Sequence, residues 1–433
     1  MRTCFQFLGF VVLSFCSLLQ AGDYFLTGRT DKDVAIYEPG EAITFQLQVL
    51  EDGQPVAGKK ISWIMSFDGG KKETGEEIAG EEGVTLVTQM EAPGFIRLDA
   101  KAFDEEGKPL EGTINQWGRE KVGSVLFVGG ACVQPEKLKP VPEPEDFDEF
   151  WQGMKDKLAA VPMDPELTEL PSPDPKVKLY AVSIPAATEM PLTGYLSVPI
   201  AEAGTLKAKC SFHGYGFNKH RAPGKVDANQ IVFNVNAHGM ALGEDDDYYA
   251  KMKKENAGYG FRDEENENPE TAYFHDMSLR VMRAFEFVKT LPEWNGKDLE
   301  SHGGSQGGLQ GLWGAGLDPD VSATKNWSPW SCDLAGGQVG RMEGWRPKYK
   351  DALAYYDPVF HVRRTQAQVN LTANYGDYTC PPSGVWIVYN QVPHDNKSME
   401  VRQGCSHSYT MKPYMSFTIS PEGITAVGLK DQK

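Results

Sequence analysis

The chain has 433 residues, 40% apolar and 24% charged, with 45 glycines and 28 prolines. This is globular composition; it excludes a disordered, collagen-like or coiled-coil chain, and the length favours two or three domains. With 43 basic against 60 acidic side chains the formal charge is −17 and no Lys/Arg cluster offsets it, so no nucleic-acid partner is expected.

Residues 1–21 read as a signal peptide. Arg2 gives a short positive start, Phe5 to Leu19 is almost wholly apolar, and Leu19-Gln20-Ala21 ends in a small residue at the cut. The apolar stretch is interrupted by Gln6, Gly9 and Ser14, is short for a membrane span, and has no longer counterpart downstream. The mature chain is expected to be secreted or periplasmic, with no membrane span. Cys4 and Cys16 leave with the leader, so Cys132, Cys210, Cys332, Cys380 and Cys405 remain. An odd, sparse set is not a disulfide scaffold. No Cys-x-x-Cys or His-x-x-x-His spacing supports a zinc site, and no metal or other cofactor is expected.

Residues 22–130 show a period of two. Ile43, Phe45, Leu47 and Val49 alternate with Thr44, Gln46 and Gln48, so one face is buried and the other wet. After the turn signal Glu51-Asp52-Gly53-Gln54, further strands are predicted at Lys60 to Met65, Gly83 to Thr88, Gly94 to Ala102 and Val122 to Val128. Short strands at this spacing predict an all-β, immunoglobulin-like sandwich, and no catalytic cluster falls within it. Residues 131–144, with Pro135, Pro140, Pro142 and Pro144 among charges, read as a semi-rigid linker.

Residues 145–433 have a different rhythm. Phe147, Phe150, Trp151 and Met154 recur at helical spacing in Glu145 to Leu158. Strands predicted at Val177 to Ile184, Leu192 to Val198, Ala208 to Phe212 and Ile231 to Val235 precede a helix over Met277 to Leu291. This alternation predicts an α/β layered sheet, doubly wound.

Gly303-Gly304-Ser305-Gln306-Gly307-Gly308 satisfies Gly-x-Ser-x-Gly. A strand turning sharply into a helix leaves such a serine hydroxyl exposed, and larger neighbours would collide with nearby backbone. The bland alternative is a Gly-rich turn with a surface serine. Against it, Phe212-His213-Gly214-Tyr215-Gly216 follows an early strand of the same domain. A loop there supplies one oxyanion N–H, from Tyr215, while the residue after the nucleophile, Gln306, supplies the other. One weakness is Leu299-Glu300-Ser301-His302, poorly apolar for the strand before the nucleophile.

With these motifs the sequence resembles the acetyl xylan esterase and cephalosporin-C deacetylase family, from about Pro144 onward. Its other anchors are Asp146 to Trp151, Phe285 to Pro292, and Gly376-Asp377-Tyr378-Thr379-Cys380-Pro381-Pro382. The resemblance implies an α/β-hydrolase fold and hydrolysis of acetyl esters by a Ser-Asp-His triad without metal. Two departures mark a divergent branch. The family's Arg-Gly-Gln falls on His238-Gly239-Met240, and the acid after the triad histidine is Ser408.

In this fold the triad runs Ser, acid, His along the chain. Asp377 lies just beyond an apolar stretch at Val369 to Ala373, and Pro381-Pro382 stop the strand; a turn-forming Asp is the alternative role. For the base, His394 and His407 both follow Asp377. A helix from about Pro382 puts Gln391 to Asn396 in the loop before the strand Lys397 to Gln403, predicted to be the last, and His407 just after it. The resemblance also implies a spacing from Asp377 near that of His407, so His407 is the expected base and His394 a loop histidine. His238 is read as either structural or substrate-facing. Trp327 and Trp330 are candidates for stacking on sugar rings, with core packing the alternative.

The leading reading is a secreted serine esterase that removes acetyl or short acyl groups from polysaccharide or oligosaccharide. The alternatives are a peptidase or sugar-acid esterase of the same fold, and a glycan-binding pseudoenzyme. Oligomeric state is left open.

Overall fold

The alternation of Ile43, Phe45, Leu47 and Val49 builds the first layer. In the computed structural model, which describes residues 22–430, these side chains point from strand Ile43–Glu51 into the core while Thr44, Gln46 and Gln48 stay half-buried. The expected signal peptide lies outside the described residues. Tyr24–Thr30 pairs on one side of this strand, and Val84–Thr88 with Gln54–Pro55 on the other. Facing this four-stranded sheet is a five-stranded one, in the order Ile36–Tyr37, Leu126–Val133, Gly94–Phe103, Lys60–Phe67, Lys72–Ile78. The ring of Phe127 stands between the sheets, so close to Gly28 that a Cβ there would lie 2.6 Å from it.

Some strands escape the sequence pattern for identifiable reasons. Lys72–Ile78 is a charged, exposed edge strand, the kind that resists further pairing. The predicted strand Val122 to Val128 is two strands, because the chain changes sheets at Val125. Before that point Arg119–Ser124 forms a hairpin with Glu111–Gln116. This hairpin leaves the sandwich and pairs with Tyr409–Thr410 near the other end of the chain. Of the residues 131–144 read as a semi-rigid linker, 131–133 belong to strand Leu126–Val133, and the remainder is tied to the following helices. Asn390 Nδ2 donates to the carbonyls of Pro135 and Leu138 at 2.9 and 3.2 Å, and Glu143 is paired with Arg363 and Arg364.

The rest of the chain forms an eleven-stranded sheet. Its centre is parallel: Gln230–Asn236, Leu206–Phe212, Trp294–Gly304, Ala323–Trp327, Gln368–Asn374 and Lys397–Arg402, with antiparallel strands outside. Lys397–Arg402 is not the last strand, since Tyr414–Ser420 and the exposed Gly423–Lys430 extend the sheet. The layout is that of an α/β-hydrolase preceded by an all-β region. Leu206–Phe212 has its sequence successors on opposite sides, which makes its carboxyl end a switch point where such sheets bind ligands.

Helices Phe147–Ala159, Tyr273–Lys289, Gln306–Leu317, Pro358–His361 and Pro382–Gln391 pack side by side on the sheet. The opposite face is wet at its centre, where Lys325 and Glu300 pair at 3.0 Å beside half-exposed His302. That explains the weakly apolar strand Trp294–Gly304: Leu299, Ser301 and Gly303 face the helices while Glu300 and His302 face water. Cys132, Cys210, Cys332, Cys380 and Cys405 are all buried and unbridged. Among the described residues no helix is long and apolar enough to cross a membrane.

Candidate active site

The strand Trp294–Gly304 ends at the switch point and turns within one residue into the helix Gln306–Leu317. Ser305 makes that turn at φ 55, ψ −124, a conformation side chains rarely adopt. It is held there by its N–H donating to the Trp327 carbonyl and its own carbonyl accepting from Trp330 N–H, both at 2.9 Å. The turn is passable only because glycine stands two residues before and two residues after the serine. A Cβ on Gly303 would lie 2.3 Å from the Gly307 carbonyl, and one on Gly307 would lie 2.2 Å from that of Phe212.

Asp377 follows strand Gln368–Asn374 and His407 follows Lys397–Arg402, so both project from the edge that carries Ser305. His407 Nδ1 is 2.8 Å from Asp377 Oδ2, and Nε2 is 3.1 Å from Ser305 Oγ. An ionised carboxylate only accepts, so Nδ1 carries the hydrogen and the Nε2 lone pair meets the hydroxyl. Asp377 is fully buried, and its second oxygen accepts the Cys380 N–H at 2.9 Å. His394, by contrast, precedes Lys397–Arg402 and lies at the opposite edge of the sheet.

One group could be mistaken for a metal site. Ligand atoms of Asp377, Cys380 and His407 lie within 4.8 Å of one another. Burial, with the Asp377 carboxylate next, holds the Cys380 thiol well above its ordinary pKa. A metal needs the thiolate, and the Asp and His atoms already face each other. The donor set therefore fits a hydrogen-bonded relay better than a cation.

Tyr215 and Gln306 flank the serine. Gln306 is the first residue of its helix, so its N–H has no intrahelical acceptor and lies at the positive end of the helix dipole. Tyr215 lines the same cleft, of about 550 Å³, with Trp327, Trp345 and Trp117. The Tyr215 ring stacks on Tyr259 at 4.2 Å.

Two expectations about substrate-facing residues need correction. His238 does not line this cleft: it is 1% exposed, its ring stacks on Phe217 at 4.2 Å, and its Nδ1 lies 2.7 Å from the Tyr273 hydroxyl. Burial pushes it well below its ordinary pKa, with the neighbouring His213 adding to the effect, so it packs as a neutral ring where the family pattern has a guanidinium. Burial likewise lowers His213, and lowers His220 to about 4. Trp330 is fully buried and its Nε1 donates to the Trp345 carbonyl, which makes it core. Trp327 does line the cleft, its ring 5.3 Å from that of His407.

Four residues were missed. Tyr259, in an unremarked Gly-Tyr-Gly run, bonds both the Gly216 N–H and the Gln306 side chain. Trp345 lines the cleft from a loop without periodicity. Arg97 and Trp117 come from the sandwich. Arg97 Nε donates to the Gly376 carbonyl at 2.9 Å, bracing the turn that holds Asp377, and its guanidinium lies over the Tyr378 ring. The only available signal for Trp117 was an aromatic at a hairpin tip, beside Gly118.

Residues 136–418 match the sequence model of the acetyl xylan esterase family. The chain is 28% identical over 288 residues to the acetyl esterase Axe7A of Xylanibacter ruminicola, a match covering 61% of this chain and 64% of that relative's length. Among solved structures it is similar to the acetyl xylan esterase from Paenibacillus sp. R4, with 21% identity, a TM-score of 0.54, and coverage of 63% of this chain and 93% of that one. Acetyl xylan esterase 1 from Thermoanaerobacterium sp. JW/SL YS485 is comparable, at 21% identity, TM-score 0.53, and 64% and 93% coverage. At that identity the two solved structures share the fold.

Proposed function

The chain belongs to the acetyl xylan esterase family, and from that premise we propose that it is a secreted serine esterase removing acetyl or other short acyl groups from carbohydrate. It is a carboxylic ester hydrolase. The reading of its chemistry rests on one observation: imidazole Nε2 is 3.1 Å from Ser305 Oγ while Nδ1 is 2.8 Å from Asp377.

Neutral His407 takes the Ser305 proton as Oγ attacks the ester carbonyl, and Asp377 stabilises the imidazolium so formed. The oxyanion is held by the N–H groups of Tyr215 and Gln306. His407 returns the proton to the departing alcohol, leaving an acyl-enzyme. Water, activated by the same imidazole, then releases the acid. Carbohydrate is favoured as the alcohol because the cleft wall is aromatic, with Trp327 and Trp345 both on it. The leader Phe5 to Leu19 supports export.

The mature protein should hydrolyse p-nitrophenyl acetate and release acetate from acetylated xylan, and Ser305→Ala should abolish both. Wild-type turnover no faster than that of the Ala variant would refute the serine mechanism. Ester hydrolysis without acetate release from any acetylated polysaccharide would refute the carbohydrate assignment alone.

A further inference from the structure

Whatever alcohol leaves Ser305 must take its proton from His407, so the leaving group has to lie beside that ring. One side chain at that place comes from outside the hydrolase sheet. Trp117 is at the tip of the sandwich hairpin, 65% exposed, its ring 6.0 Å from that of His407 and edge-on to it at 87°. It shares the cleft with Ser305, Tyr215 and Trp327.

The backbone makes this position unusual. Strands Glu111–Gln116 and Arg119–Ser124 are joined by Trp117 and Gly118, at φ 54 and 70. Positive φ at both central residues defines a type I′ turn, for which Asn-Gly or Asp-Gly is the unstrained choice. A bulky side chain in the left-handed region is disfavoured, and such strain, where it persists, concentrates at functional sites. Nothing in the hairpin's own packing calls for an exposed indole. The hairpin is also anchored: Trp117 N–H donates to the Ser408 carbonyl at 2.7 Å, and Gln116 and Asn115 pair with Tyr409 and Thr410. The tip is thereby fixed one residue away from the base.

We infer that Trp117 is a substrate-binding residue which stacks on the sugar ring of the leaving alcohol, so that the sandwich completes the carbohydrate subsite of the hydrolase. An indole presents a flat apolar face matching the C–H face of a pyranose, a contact that needs no charge on the sugar. This inference rests on the esterase reading above and assigns the alcohol side of the cleft, not the acyl side.

The test is Trp117→Asn in the full-length mature protein, since Asn removes the ring yet suits the turn, with Trp117→Phe as the conservative partner. Release of acid is followed by titration with acetylated xylo-oligosaccharide and with vinyl acetate, whose leaving group has no ring. The expected result is a fall of at least tenfold in the ratio of kcat/KM for oligosaccharide to that for vinyl acetate. The loss falls mainly on KM, Phe recovers most of it, and the Tm of the Asn variant is no lower than wild type. An unchanged ratio, or equal losses on both esters, would overturn the inference while leaving the esterase intact. A wild-type enzyme that cleaves vinyl acetate but no sugar ester would remove the carbohydrate assignment, and this inference with it.

Discussion

The hydroxyl of Tyr259 donates to the side-chain carbonyl of Gln306 at 2.6 Å while accepting the Gly216 N–H at 2.8 Å. One oxygen thus ties the loop after Leu206–Phe212 to the helix behind Ser305, the two segments proposed to hold the oxyanion. Burial raises its pKa, so it stays a donor across the working range.

Tyr259→Phe should fold normally, because the ring keeps its contacts with Tyr215 and Phe217. With the tie cut, kcat on p-nitrophenyl acetate should fall about tenfold, ~1.4 kcal/mol of transition-state stabilisation. KM should change little. A kcat equal to wild type would show that the loops hold their positions without it.

Asp377→Asn should lower kcat by about 10⁴-fold, because the amide can donate to Nδ1 and stabilise the wrong tautomer. His394→Ala should stay within about twofold of wild type by the same assay, because that ring lies at the opposite edge of the sheet from the chemistry. Reversal of these two results would transfer the base from His407 to His394.

Arg97→Gln should reduce kcat several-fold although it lies on the sandwich, since the Gly376 carbonyl loses its donor. It should also lower stability by about 1–3 kcal/mol, because Asp99, whose pKa burial raises, loses its guanidinium partner. Adding Asp99→Asn should restore melting temperature without restoring kcat. Joint recovery of both would mean that Arg97 acts only through stability.

His361 is fully buried among Phe147, Trp151 and Trp313, with Nε2 at 3.0 Å from the Tyr355 carbonyl. Burial lowers its pKa from 6.5 to about 3. The unfolded chain therefore takes up this proton first as pH falls, and the contribution present above pH 6.5 is lost between there and about 3. Stability of wild type relative to His361→Gln should decline with falling pH by up to about 1.4 kcal/mol per unit in that window. Parallel pH profiles in chemical denaturation would contradict this.

Sequence periodicity located the elements wherever one pattern decided the environment. Ile43 to Val49 alternate because one face is dry, and Val177–Ile184 forms over the range read from its apolar content. The serine turn was legible because glycine is the only residue that fits around it. Less legible were elements whose environment is set by distant chain. Trp294–Gly304 looked weak because half of its side chains face a polar surface of the sheet. His238 and Trp330 carry the same side-chain types as substrate contacts, and only packing separates a buried ring from an exposed one. Arg97 and Trp117 could not be assigned to the site because no local pattern tells a strand or a β-hairpin that it will end beside a loop nearly 300 residues downstream.

The strand Tyr409–Thr410 is the edge strand of a sheet whose other members are the sandwich hairpin. The two parts of the chain are therefore spliced rather than tethered. A recombination event that swapped the N-terminal sandwich for that of a relative would have to bring a matching hairpin, or leave the catalytic imidazole's loop without its neighbours. Such an arrangement ties the inheritance of both parts together, and a shuffled library cut at the proline-rich junction should yield few active members.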